Sequence, residues 1–196
     1  MTEPHAEHTV RYPEAYLEYL VLYHADRDYF NCHEVLEEFW QANKTGDLAA
    51  AWLGLIQIAV AQYHERRGNC AGALKMLASA IRNLRAEDVE RLGINRSLLS
   101  ELAHRHAAVA AKLAASGPSP AEANEFRDLD LPLQDTELLR LCREKCRLAG
   151  KAWLSPSDMA NRDIVDKHVR RDRTEVVAER AAELAKRRAL RGKPAP

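Results

Sequence analysis

Two short segments of this chain combine histidine with carboxylate or amide side chains at helical spacing. In the first segment, His33 and Glu37 are four residues apart, so a helix aligns them on one face. In the second, Gln57 and His64 lie two helical turns apart in a stretch that is otherwise apolar. Because buried polar groups are costly without partners, we expect the two segments to face each other.

A metal centre is one interpretation of this His/Glu/Gln cluster. Imidazole and carboxylate groups together suit zinc, iron or manganese, so His33, Glu37 and His64 are candidate ligands of one divalent metal. Glu34 or Glu38 then supplies a fourth ligand or a general base. A metal lowers the pKa of its bound water, and the predicted chemistry is hydrolysis of a small-molecule substrate.

The alternative interpretation needs no metal. An amphipathic helix shows glutamates to water, and His33 with Glu37 is then an ordinary i, i+4 ion pair. His64 would donate to a carboxylate across the hairpin, and Gln57 would support it as a further polar group. The cluster is then a buried polar seam that fixes helix register. Such a bundle would act through a protein partner or by self-association as a homo-oligomer.

The residues that follow the second segment also allow two interpretations. Gly68 suits the left-handed position that ends a helix, and Asn69 suits the N-cap of the next one. Alternatively, Arg67 and Asn69 bind an anion beside the free N–H groups at the start of that helix.

Two helices are expected to position these side chains. Asp28 can cap the first helix, which runs to about Asn43, and the second runs from about Leu48 to Arg67. Since the turn between them is short, the two helices should pack side by side and antiparallel.

Apolar periodicity predicts helices along nearly the whole chain and no strand of useful length. The predicted fold is an all-α helical bundle over residues 13–115, followed by a linker at 116–121 that is rich in Ser, Gly and Pro. Residues 122–196 are expected to form a C-terminal helical extension with a basic final helix at about 173–191. Within it, Ser155 and Pro156 should start a helix.

Bulk composition argues against several classes of protein. The chain has 196 residues with 29 Lys+Arg and 29 Asp+Glu, so a formal net charge of zero gives no global attraction to nucleic acid or membranes. The basic C-terminal region lacks the interleaved aromatic residues of a nucleic-acid interface. The longest uncharged apolar stretch of the whole chain, residues 48–62, is shorter than the roughly 20 residues of a membrane span.

Cysteine usage and the N-terminus indicate a cytoplasmic protein. The four cysteines fit neither a disulfide framework nor a paired zinc pattern, so reduced thiols are expected. The first residues lack the basic and apolar regions of a signal peptide.

The order and spacing of these motifs resemble those of a bacterial family known as domain-of-unknown-function family 309. The residues that carry the resemblance are Tyr29, Phe30, His33, Glu34, Glu37, Glu38, Trp40, Gly54, Leu55, Ile56, Gln57, His64, Arg66, Arg67, Gly68, Asn69, Gly72 and Ala73. They fall within a family core of about 16–84, and the segment 116–196 lies outside it. The resemblance implies an all-α bundle. The family also carries the label of a predicted metal-dependent hydrolase. The resemblance therefore implies a hydrolase whose site would consist of His33, Glu34, Glu37, Glu38, Gln57 and His64.

Overall fold

The computed structural model describes residues 12–115 and 126–170, and it confirms the all-α prediction. Its helices are α1 (Glu14–Val21), α2 (Tyr29–Ala42), α3 (Ala49–Arg66), α4 (Cys70–Asn83), α5 (Ala86–Arg91), α6 (Ser97–Ala115), α7 (Thr136–Leu148), α8 (Arg162–Val165) and α9 (Lys167–Arg170). A π-helical turn, Leu22–Asp26, continues directly from α1. In the described part of the chain, no helix is long and apolar enough to cross a membrane.

The predicted helical hairpin is present with nearly the expected bounds. The Asp28 carboxylate accepts a hydrogen bond from the backbone N–H of Asn31 at 3.0 Å and so caps α2. Gly68 has a φ of 74° just after α3 ends, as its place at a helix C-terminus requires. Capping and turn residues therefore set these boundaries, as the sequence indicated.

Helix α3 is the central element, because it packs against both α2 and α4. Buried residues surround most of its circumference, which agrees with its nearly continuous apolar sequence. The hydroxyl of Tyr19 donates to the backbone carbonyl of Leu55 at 2.9 Å, fastening α1 to α3. This packing gives the functional side chains of α3 a rigid base.

The described residues up to Val165 form one compact unit, and a second unit begins at Asp166. Residues 126–165 therefore belong to the same unit as the helical bundle. Leu129 and Leu131 are buried in its core, and the Asn95 N–H donates to the Pro132 carbonyl at 2.8 Å. The predicted linker at 116–121 and the basic helix predicted at 173–191 lie outside the described residues.

The helix predicted to start at Ser155 and Pro156 is wrong, because this segment is irregular. The Ser155 carbonyl accepts a hydrogen bond from Arg27 Nε at 2.6 Å. Ser157 donates to the Asp128 carboxylate from its backbone N–H at 2.8 Å and from its hydroxyl at 2.5 Å. These distant partners fix an irregular backbone, whereas the preference of Pro156 for a helix start is only local.

Candidate functional site

The polar residues of α3 pair with α4 and its cap. The Gln57 side-chain oxygen accepts a hydrogen bond from Asn83 Nδ2 at 2.8 Å. Nδ2 of Asn69 lies 3.1 Å from Nδ1 of His64. Because the Asn69 side-chain oxygen accepts from the Gly72 N–H at 2.9 Å, its amide nitrogen faces the histidine as a donor. His64 Nδ1 is therefore an acceptor in this pair.

His64 is half-buried and favours its neutral form. Partial burial lowers the pKa of His64, and the positive charge of Arg67 lowers it further. Gly72 leaves the room for the imidazole, since a Cβ at that position would lie 2.9 Å from His64 Cγ. With Nδ1 accepting, the ring proton resides on Nε2, so the side chain is held as one defined tautomer.

The candidate site residues of α2 lie at or near the surface. His33 is partly buried, and its Nδ1 lies 3.4 Å from the backbone carbonyl of Tyr29. Glu37 and Glu38 are exposed, whereas Glu34 is half-buried. These side chains therefore line the outer side of the hairpin.

Metal coordination of the cluster remains a prediction. Among the residues that the structure describes, no group of three or more His, Cys, Asp or Glu side chains is arranged to hold a metal ion. The described side chains of His33, Glu37 and His64 thus form no such group together. In addition, Nδ1 of His64 is already used by Asn69.

The two residues predicted to bind an anion have contacts within the chain. The guanidinium of Arg67 lies over the Tyr63 ring, 5.5 Å from its centroid. Asn69 caps α4 and also contacts His64. Helix capping accounts for Asn69, and anion binding at this place stays a prediction.

A larger concentration of buried charge lies where residues 126–165 meet the bundle. We call it the arginine junction, and its members are Arg27, Tyr29, Arg66, Asp128 and Asp130. Arg27 and Arg66 are only 3% and 1% exposed. Because an arginine cannot give up its charge in a protein, both guanidinium groups need acceptors in the interior.

Arg27 ends the π-helical turn with a left-handed backbone, at a φ of 52°. Its Nη2 lies 2.7 Å from Oδ1 of Asp130, and its Nε lies 3.7 Å from Oδ2 of Asp128. The hydrogen bond from Nε to the Ser155 carbonyl completes its partners in residues 126–165, which we call the C-terminal segment. Arg27 therefore binds three separate points of residues 128–155.

Arg66 occupies the other side of the junction and uses mainly backbone acceptors. Its Nη1 donates to the Arg27 carbonyl at 2.6 Å, and its Nη2 donates to the Ile164 carbonyl at 3.0 Å. The guanidinium also lies 4.9 Å from the centroid of the Tyr29 ring, a favourable cation–π distance. The Tyr29 hydroxyl in turn donates to Asp128 at 2.6 Å, which links both arginines in one network.

His24 lies beside this junction, and its side chain is fully buried. Within the described residues, neither ring nitrogen has a hydrogen-bond partner. The nearest carboxylate oxygen, on Asp130, is 3.7 Å from Nδ1, and the Trp153 ring lies 4.6 Å from the imidazole centroid. Burial lowers the pKa of His24, Asp130 opposes this shift, and Arg27 adds to it.

The arginine junction was not predicted from the sequence, although Ile58, Gln62 and Arg66 are spaced by four residues and so follow one line along α3. That spacing could have indicated that Arg66 is buried, because Ile58 and Gln62 on the same line are fully buried. Asp128 and Asp130 carried no comparable signal, since their partners lie about a hundred residues away in sequence.

Fold and site together define an all-α bundle whose C-terminal segment is anchored by buried arginines. Residues 16–76 match the family model described as "Domain of unknown function (DUF309)". A relative from Bacillus subtilis (strain 168), described as "Uncharacterized protein YpuF", is 41% identical over 182 residues, which cover 92% of this chain and 99% of the relative. The chain belongs to the DUF309 family, as the motif resemblance predicted. No solved structure matches it.

The similarity to the relative extends well beyond the family core. Since 92% of this chain is aligned, most of residues 116–196 are included in the match. The relative therefore shares most of this C-terminal region, although the family model ends at residue 76.

Asp128 should be essential for anchoring the C-terminal segment. We expect Asp128→Ala to lower the free energy of unfolding by about 2–4 kcal/mol, because it leaves buried donors and Arg27 without their carboxylate. Urea denaturation measures this change, and hydrogen exchange of the Ser157 amide should accelerate. Asp158→Ala is the matched control, because exposed Asp158 accepts only a local bond from the Ala160 N–H. Equal losses in both variants would contradict the anchoring role.

His24 should make the fold less stable in mild acid. Its folded-state pKa lies below the unfolded value of about 6.5, so the unfolded chain binds more protons and stability falls as the pH drops below that value. His24→Phe keeps a ring against Trp153 and removes this proton uptake. Urea denaturation at pH 7.5 and 5.5 should therefore show a smaller acid loss in His24→Phe than in the wild type. Parallel profiles for wild type and His24→Phe would refute this role.

Proposed function

We propose that this protein is a non-catalytic helical bundle that acts by binding a protein partner, with Gln57 and His64 as a structural polar seam between α3 and α4. The pairing of Gln57 with Asn83 and of His64 with Asn69 carries this assignment. Gln57 and His64 each have a partner on α4 or its cap, so no ligand is needed to satisfy them. Polar pairs of this kind fix the register of two helices.

The arginine junction supports the same assignment. Its guanidinium groups point at backbone carbonyls, an aromatic ring and two carboxylates of the chain itself. The charges of Arg27 and Arg66 are therefore used to attach the C-terminal segment to the bundle. A rigid scaffold of this kind suits recognition of a partner, because little ordering is required on binding.

We assign the partner surface to the outer side of α2. Residues 28–43 contain four acids and no Lys or Arg, and Glu37 and Glu38 are exposed there. Trp40 is half-buried one helical turn from Glu37, and tryptophan is a frequent energetic anchor in interfaces. A basic protein segment with an apolar residue is the complementary ligand, since opposite charge speeds encounter and selects partners.

The rival function is a metal-dependent hydrolase. In it, His33, Glu37 and His64 bind zinc, manganese or iron, while Glu34 and Glu38 act as fourth ligand or general base. That arrangement requires the three ligands to converge and His64 to release its contact with Asn69. The two functions therefore make opposite predictions about metal content.

Elemental analysis of the untagged wild type and of His64→Ala separates the two functions. If the polar residues form only a structural seam, neither protein contains stoichiometric metal, and a chelator leaves the wild-type melting temperature unchanged. His64→Ala should lower the free energy of unfolding by about 0.5–1.5 kcal/mol, because it removes the half-buried ring and its hydrogen bond to Asn69. Near-stoichiometric zinc, manganese or iron that disappears in His64→Ala would overturn the seam and establish the metal centre.

The partner surface can be tested by charge reversal. Proteins that co-purify with the wild type are identified, purified and titrated against Glu37→Lys/Glu38→Lys. We expect Kd for a basic partner to rise at least tenfold, because two attractive charges become repulsive. Glu87→Lys/Glu101→Lys carries the same charge change at exposed positions off α2 and should bind normally. If no purified partner distinguishes the two double variants, α2 is not the binding surface.

A further inference from the structure

A small hollow lies on the C-terminal segment, beside the arginine junction. Its volume is about 230 Å³, below the range of roughly 300–1,000 Å³ that is typical of sites for drug-sized ligands. Its walls are mainly apolar and are formed by Leu131, Pro132, Leu133, Leu139, Trp153 and Leu154, with Asp130 and Arg143 as its charged residues. Size and lining therefore suit a short, largely apolar molecule.

Two unusual backbone features lie at this hollow or next to it. Leu154 has a φ of 62°, a left-handed conformation that is unfavourable for a residue with a side chain. The strained backbone accompanies a leucine side chain that remains 46% exposed. The ring of the fully buried His24 lies 4.6 Å from that of Trp153, and His24 belongs to the π-helical turn, a rare element that is frequent at functional sites. Strain and unusual helix geometry of this kind cluster at ligand sites.

The two charged residues of the hollow differ in their partners. Asp130 is neutralised by Arg27, whose Nη2 lies at 2.7 Å. Arg143 is exposed and makes no ion pair with any residue in the described ranges. The uncompensated charge of the hollow is therefore positive.

Within the described residues, the absence of an ion pair for Arg143 has a local cause in α7. Arg140 pairs with Glu137 and Arg147 pairs with Glu144, each with the acid three residues earlier. The residue three positions before Arg143 is Arg140. Arg143 thus has no acid at this spacing on its own helix, while its guanidinium has the planar fork that binds a carboxylate with two hydrogen bonds.

We propose that this hollow binds a small apolar carboxylate, with the hydrocarbon part against Trp153 and the leucines and the carboxylate on Arg143. This site goes beyond the proposed function, because it lies on α7 and the C-terminal segment and uses none of the residues of α2. A simple inorganic anion would leave the apolar walls uncovered, and an alkylammonium ion would be repelled by Arg143.

Titration of the full-length ¹⁵N-labelled protein with n-alkyl carboxylates from butanoate to hexanoate tests the site. The chain has three tryptophans, and the indole N–H signal of Trp153 is assigned with Trp153→Phe. We expect a saturable shift of this signal, with affinity rising roughly fourfold for each added methylene. Hexylamine and inorganic phosphate, which lack the carboxylate and the apolar chain respectively, should produce no saturable shift.

Arg143→Gln should weaken hexanoate binding at least tenfold, because it removes the charged fork and leaves a neutral polar side chain. Arg140→Gln is the matched control on the same helix and should bind like the wild type. Absence of a saturable Trp153 shift with any carboxylate would overturn the site. Equal binding by hexylamine, or unchanged affinity in Arg143→Gln, would also overturn it, since apolar contact alone would then explain the result.

Discussion

Two guanidinium groups that cannot lose their charge lie in the interior of this protein, and much of the fold supplies their acceptors. Arg27 and Arg66 are almost completely buried, so leaving either without partners would cost several kcal/mol. The bundle alone provides part of what they need, namely the Arg27 carbonyl and the Tyr29 ring. The remaining acceptors come from residues 128–164, which must therefore close over the ends of α3 and the π-helical turn.

The same physical rule organises the His/Glu/Gln cluster on a smaller scale. Gln57 and His64 interrupt an apolar helix, and each is matched by an asparagine side chain across the contact with α4. Close approach at this contact depends on Gly72, which leaves space for the His64 ring. Half-buried polar groups thus select particular neighbours, whereas apolar packing alone would tolerate several helix arrangements.

Acidic and basic surfaces lie on different elements of the chain. Helix α2 carries acids without any Lys or Arg, while α7 carries three exposed arginines, of which two are paired with glutamates. A formal net charge of zero hides this separation. Since the relative from Bacillus subtilis aligns over 92% of this chain, the C-terminal segment with α7 is an integral part of the molecule and must be considered in any account of function.

Sequence alone determined the all-α class, the α2–α3 hairpin, the caps at Asp28 and Asn69 and the family, because periodicity, capping and turn chemistry act within a few residues. It supplied the candidate residues His33, Glu37 and His64 but not their neighbours. Only the tertiary structure decided that Gln57 and His64 face α4, that Arg66 is buried and that residues 155–160 are irregular. The physical reason is range: Arg27 meets Ser155 across 128 positions, and Arg66 meets Ile164 across 98. Such contacts depend on how helices pack in three dimensions, and no local pattern encodes them.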